Sequence, residues 1–288
     1  MAYVIAEIGC NHKGEMDIAK KMITVAATYC KAHIAKFQKR NNKELLTEEQ
    51  YNAPHPVPEN AYAATYGLHR EALEFTQEQH AELKAHCEKE GIIYSTSVWD
   101  LTSAKEITEL RPALIKIPSA CNLNFPMQEY LCKHHLGQLH LSVGMTNREE
   151  IDQIVDFYES QGRAQDVILY SCTSGYPVAF EDICLLEIDY LKRRFESRIG
   201  GIGFSGHHLG IAADIAALTL GAKWIERHFT LDRTWKGTDH AASLEPDGLR
   251  KLCRDIASVG KALTYKREEI LPVEAVQREK LKWKNYRG

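Results

Sequence analysis

Eight short apolar runs rich in β-branched residues recur along the chain, each followed by a longer segment of helical period. This alternation dictates a parallel sheet whose strands are joined by crossover helices. The runs are YVIAEIG (3–9), HIAKFQ (33–38), IIYSTSVW (92–99), ALIKIPSA (113–120), QLHLSVG (138–144), DVILYSCTSG (166–175), RIGGIGFSG (198–206) and AKWIERHFT (222–230). Between them lie amphipathic segments such as DIAKKMITVAATYCKA, TQEQHAELKAHCEKEG, NREEIDQIVDFYESQG and EPDGLRKLCRDIASVGKAL, several opening on an Asp, Thr or Asn suited to cap a first turn. Eight such units in 288 residues predict a closed (β/α)8 TIM barrel rather than an open doubly wound sheet. We expect one barrel over 1–265, with 266–288 forming a charged C-terminal helix or arm.

Charge and cysteine usage narrow the function classes. The net charge of −3, with both signs interspersed, offers no basic stripe to neutralise a phosphodiester backbone, so no nucleic-acid partner is expected. No basic leader opens the sequence and no run approaches the roughly 20 apolar residues of a membrane helix, which predicts no membrane association and a cytoplasmic location. The 8 cysteines are scattered singly without a CxxC pair, as reduced thiols are, and neither zinc-ribbon nor thioredoxin spacing occurs. Cys172, near a strand end, reads either as a nucleophile or as a small buried packing group, the second being the commoner fate of such a thiol.

In a barrel of this kind the C-terminal strand ends form the reactive face. The polar residues there are Glu7 at the end of the first strand with Asn11 and His12 after it, then Lys36, Gln38 and Lys39, Lys116 and Ser119, Ser142, Ser174 and Tyr176, Ser205 with His207 and His208, and Glu226 and His228, with Asp239 and His240 in the loop beyond. Lys36 and Lys116 interrupt the apolar patterns AKF and IKI, where an ammonium needs a counter-charge. That charge is either a neighbouring carboxylate such as Glu7 or an anionic ligand held jointly with Ser119, Ser142 and Ser174. A Schiff-base lysine is a further possibility. Two lysines near two histidines fit an anion plus a metal better. His207 and His228 end neighbouring strands and are placed to share a divalent cation, although a strand histidine is more often satisfied by a core hydrogen bond. His207 and His208 point to opposite sides of an extended chain, so both rings cannot easily serve one site. The long connections 39–75 and 231–244 carry the remaining candidates, including His69 and Arg70, readable as a phosphate clamp or as a solvated loop.

Taken in order, IAEIGCNHKG (5–14), KFQK (36–39), KIPS (116–119), LSVGM (141–145), CTSGYP (172–177), GFSGHHLG (203–210) and IERHFTLDRTWKGTDHAASLEP (225–246) resemble the sialic acid synthase family. The resemblance implies a (β/α)8 barrel and a transferase that condenses phosphoenolpyruvate with N-acetylmannosamine or its 6-phosphate. It implies Mn²⁺ or Mg²⁺ on His207 and His228, and it makes His207 rather than His208 the ligand. Lys36, Lys116, Ser119, Ser142 and Ser174 match groups around phosphoenolpyruvate; Glu7, Gln38, Tyr176 and Asp239 match groups around the sugar and the reacting centre. Asn11, Lys39, Arg70 and Ser205 complete the expected substrate contacts. The implied chemistry is attack of C3 of the enol phosphate on the open-chain aldehyde, addition of water at C2 with help from Glu7, and loss of phosphate.

Two departures qualify the match. Glycine at position 206, where many bacterial members carry aspartate, together with TYGLHREALEF and DRTWKGTDHAASLEP, is similar to the branch using a 6-phosphate acceptor and making a nonulosonic acid 9-phosphate. Lys39, His69 or Arg70 would then contact the added phosphate. Family members usually carry a C-terminal antifreeze-like domain that completes the partner's site in a swapped dimer, and no such segment follows the barrel motifs here. The resemblance implies a homo-oligomer, with the arginine that this domain contributes replaced from the long loops, supplied by a separate protein, or unnecessary for this substrate. An unphosphorylated acceptor, a mannose derivative without the N-acetyl group, and a non-catalytic sugar-phosphate-binding barrel are the alternatives.

Overall fold

The computed structural model describes residues 2–283. Eight strands, β1 (Tyr3–Gly9), β2 (Ile34–Lys39), β3 (Ile93–Val98), β4 (Leu114–Ile117), β5 (Gln138–Ser142), β6 (Val167–Cys172), β7 (Gly201–Gly206) and β8 (Trp224–His228), pair in parallel and in chain order. β8 returns to β1, closing the expected TIM barrel. Outside it runs a ring of helices, including Gln77–Glu90, Arg148–Ser160 and Pro246–Ala262. Their starts follow from local chemistry: Thr76 with Gln79 and Asn147 with Glu150 form reciprocal capping boxes, and Asp100 accepts the Ser103 N–H.

Strand periodicity sorts each side chain to one of two sides. Outward residues pack with the helices into the main core, where Val4, Ala6, Ile8, Ala35, Phe37, Ile115 and Leu169 are fully buried. Inward residues begin at the N-terminal end with a small apolar plug of Ile5, Ile34, Leu114, Ile168, Tyr170 and Trp224. One step of two residues further along the same faces come Glu7, Lys36, Lys116 and Glu226. The barrel is thus sealed below and polar above, and a one-residue slip in register would exchange these lysines for core residues. Gly203 lets the interior close around an aromatic ring, since a Cβ there would lie 2.6 Å from the Tyr170 ring.

The connection 39–75 is not a plain loop. It carries the short helices Asn42–Leu45, Glu48–Asn52 and Tyr66–Ala72. After Pro246–Ala262 the chain passes through exposed residues into the helix Pro272–Leu281, which buries none of its residues. The last part of the expected 266–288 arm, residues 284–288, lies outside the described residues. No described helix is long and apolar enough to cross a membrane.

Candidate active site

At the C-terminal end the strands open into a cavity of about 680 Å³. Its floor is a chain of alternating charges. Lys36 Nζ lies 2.6 Å from Glu7 and 3.6 Å from Glu226, and Lys116 Nζ lies 3.0 Å from Glu226. Ser97 accepts from Lys36 at 2.8 Å and Ser205 donates to Glu226 at 3.0 Å, while Lys116 Nζ stands 3.8 Å above the Tyr170 ring. All four charged groups are buried, so each depends on the others.

Their protonation differs accordingly. Burial pushes the Glu7 carboxyl up to about 7 against the pull of Lys36, which leaves it able to give or take a proton near neutrality. Burial would also raise Glu226, but Lys116 and Lys36 outweigh it and hold that carboxyl well below the usual range. Lys116, in turn, is lowered by burial against the attraction of Glu226.

Above this floor His207 and His228 face each other, with ring centroids 5.4 Å apart. His207 Nδ1 lies 3.1 Å from the Thr173 carbonyl, which can only accept, so Nδ1 holds the proton and Nε2 is left as a lone pair. His228 Nδ1 is buried with no hydrogen-bond partner among the described residues, its nearest acid being Asp239 at 4.0 Å. Burial and the neighbouring His228 push His207 down to about 3, and burial lowers His228 as well. Two neutral imidazoles with unused nitrogens are the donor set a divalent cation takes. No group of three or more His, Cys, Asp or Glu converges as a metal cage among the described residues, so a cation here would keep positions for water and substrate. Tyr176 packs its ring 4.3 Å from that of His207.

His208 turns the other way. It is fully buried in the outer layer, where its Nε2 lies 3.1 Å from Arg227 Nη1 and 3.3 Å from Asp214. Strand alternation therefore separates the two adjacent histidines as expected.

Of the residues singled out from the sequence, Glu7, Lys36, Gln38, Arg70, Lys116, Ser119, Ser142, Ser174, Tyr176, Ser205, His207, His228 and Asp239 all line the cavity. The structure places Asn11 and Lys39 elsewhere. Lys39 follows the inward Gln38 and so faces the helices, pairing with Glu106 at 3.0 Å. Asn11 is buried and donates to the Phe229 carbonyl and to Ser243, each at 2.9 Å, tying the loop after β1 to the loop after β8. Arg40, Ser97 and Trp99 also line the cavity but were not singled out, and Glu226 was seen at its strand end without a role. Cys172 lies beneath Ser119, and burial raises its thiol, which works against a nucleophilic part.

The pattern of the NeuB family matches residues 22–268. The chain belongs to that family. It is 37% identical over 279 residues to the N-acetylneuraminate-9-phosphate synthase of Homo sapiens, covering 97% of this chain and 76% of that protein. The N,N'-diacetyllegionaminic acid synthase of Campylobacter jejuni is 35% identical over 261 residues, covering 90% and 77%. Among solved structures, the N-acetylneuraminic acid synthetase of Leptospira borgpetersenii, in complex with citrate, superposes with a TM-score of 0.80 at 28% identity, covering 98% of this chain and 93% of that one. This NeuB-family barrel is thereby a relative of synthases of sialic-type acids.

The buried imidazoles of this NeuB-family protein also set its response to acid. Burial pushes His12, His80 and His140 each down to about 3. They stay neutral in the folded chain, whereas the unfolded chain takes up protons below about pH 6.5, so their stability is present above that pH and lost as pH falls. From pH 7.5 to 5.5 each costs ~1.4 kcal/mol, about 4 kcal/mol together, offset by roughly 2 kcal/mol from Glu7, whose raised carboxyl acts in the opposite sense. His69, His135 and His207 are lowered in the same sense, so urea unfolding should show a net loss of stability at pH 5.5 relative to pH 7.5, and His80→Gln should flatten it by ~1.4 kcal/mol.

Proposed function

We propose that this protein condenses phosphoenolpyruvate with an N-acylmannosamine 6-phosphate to give a nonulosonic acid 9-phosphate and inorganic phosphate. The observation that carries the reading is the meeting, in one cavity, of two buried lysines ringed by serines with two neutral imidazoles. The names of the relatives at 37% and 35% identity point the same way.

Lys36 and Lys116 bind the phosphate and carboxylate of phosphoenolpyruvate, with Ser119, Ser142 and Ser174 donating hydroxyl hydrogen bonds. Gly144 allows the serines this closeness, because a Cβ there would lie 2.6 Å from Ser174 Oγ and 2.7 Å from Ser119 Oγ. His207 and His228 would hold a divalent cation, Mn²⁺ or Mg²⁺, which when bound supplies Lewis-acid polarisation of the acceptor's aldehyde. Gln38, Tyr176 and Asp239 orient the open-chain sugar so that C3 of the enol meets the aldehyde carbon and a carbon–carbon bond forms. The enol double-bond pair forms that bond, the aldehyde's C=O pair moves onto its oxygen, which takes up a proton, C2 becomes electron-poor, and water adds there as Glu7 takes its proton. The tetrahedral C2 then expels phosphate by C–O cleavage as its new hydroxyl loses its proton and becomes the C2 carbonyl.

Purified protein given phosphoenolpyruvate and Mn²⁺ should release inorganic phosphate with N-acetylmannosamine 6-phosphate, and a chelator should stop it. No release above the acceptor-free rate, with either that compound or free N-acetylmannosamine, would remove the reading.

A further inference from the structure

Lys36 and Lys116 have carboxylates beside them, but another pair of cations on the same cavity is short of one. Arg40 follows β2, and Arg70 lies in the helix Tyr66–Ala72. Arg40 is pinned: its backbone N–H and its Nε both donate to Glu74, and its Nη2 reaches Cys10 Sγ at 3.1 Å. Arg70 is only 7% exposed, yet its guanidinium meets no carboxylate within 4 Å among the described residues, and its Nε is buried without a hydrogen-bond partner. It touches ring faces instead, its guanidinium carbon lying 5.7 Å from Tyr66 and 5.8 Å from Trp99. Arg40 stands 5.7 Å from the same Trp99 ring. Two guanidiniums thus flank one indole, and the carboxylate near them, Glu74, is engaged by Arg40 through both oxygens.

A buried guanidinium cannot shed its proton, and cation–π contacts near 6 Å offset only part of its desolvation. Its free donors border a cavity, so the missing anion belongs to a ligand. A planar fork suits a phosphate, which it can grip through two parallel hydrogen bonds. The other cations first considered for this role fall away: Lys39 is paired with Glu106, and burial pushes His69 down to about 4. Arg70 reaches the cavity from above β2 and β3, whereas the imidazoles come from β7 and β8. An acceptor with its aldehyde at the imidazoles therefore has its other end free to approach Arg70.

Building on the condensation proposed above, we infer that Arg70, held beside Arg40 and Trp99, seats the phosphate at the far end of the acceptor and selects an aldose phosphate over the free aldose. Arg70→Met, which keeps length and apolar packing, should raise the KM for N-acetylmannosamine 6-phosphate at least ~30-fold, leave the KM for phosphoenolpyruvate within about twofold, and raise the KM for free N-acetylmannosamine by far less than that for the phosphate. Arg70→Lys should recover part of the loss. A merely structural arginine would lower the melting temperature when replaced, whereas removing an unpaired buried charge should hold or raise it. An equal loss on both acceptors, or a shift confined to phosphoenolpyruvate, would overturn the inference while leaving the condensation intact. Calorimetric binding of N-acetylmannosamine 6-phosphate reads the same subsite without turnover: binding lost in Arg70→Met supports it, and equal binding in the two proteins, or none in either, sinks it.

Discussion

Glu226→Gln should lower stability by about 3–5 kcal/mol and kcat/KM by on the order of 10³-fold. The amide has nearly the same shape and can still accept from Ser205, so what disappears is charge. Lys36 keeps Glu7 at 2.6 Å, but Lys116 loses the carboxylate it holds at 3.0 Å and remains fully buried over Tyr170. A lone ammonium there must either give up its proton or swing away, and in both cases one of the two anion anchors is gone. Inorganic phosphate should restore part of the missing charge, so millimolar phosphate should raise the melting temperature of the variant more than that of the native protein. A double variant separates stability from function. Lys116→Met with Glu226→Leu removes the pair together and should recover most of the lost stability while staying inactive, a non-additive cycle. Additive losses, or a Glu226→Gln protein as stable as the native one, would show that the ion chain does not hold the floor of the cavity.

The residues that made the barrel legible are the same ones that limited how far its site could be read. Short continuous apolar runs rich in β-branched residues marked all eight strands, because a strand between a packed interior and a layer of helices must be apolar on both sides. Lys36 and Lys116 stood out because each breaks such a run. Glu226 breaks one too, but the sequence alone marks it only as a polar residue near a strand end. Only the barrel's closure shows that Glu226 turns inward to the lysines while Arg227 turns outward to Asp214. Lys39 is expected in the site as part of the KFQK motif, although alternation along the strand points it away from the inward Gln38 and to Glu106. Arg40 and Trp99 lie just past strand ends, where no period operates, and what joins them to Arg70 is the packing of the 39–75 segment over the barrel mouth. Contacts of that length in sequence leave no local signal.

Neighbouring histidines should fail in opposite ways. His207→Ala removes a ring that projects into the cavity and is tied to the fold by a single bond to the Thr173 carbonyl, so the melting temperature should move by no more than about 2 °C. Turnover should fall on the order of 10³-fold, and Mn²⁺ binding, followed by electron paramagnetic resonance in the absence of substrate, should weaken along with it. His208→Ala acts on the other side of the strand. Its ring bridges Arg227 and Asp214 in the outer layer and packs so tightly over Gly206 that a Cβ at that glycine would lie 2.8 Å from it. Removing it opens a cavity and strips a buried ion pair of a hydrogen-bonding neighbour, at a cost of roughly 2–4 kcal/mol, while the Mn²⁺ affinity stays as it was. The contrast tests the orientation of β7 more sharply than either variant alone. Were His208→Ala the one to lose the cation with its stability intact, the end of the strand would have to be turned over, and with it the assignment of Ser205 to the cavity. With the expected pattern, a single residue of register separates the chemistry of this barrel from the packing that supports it.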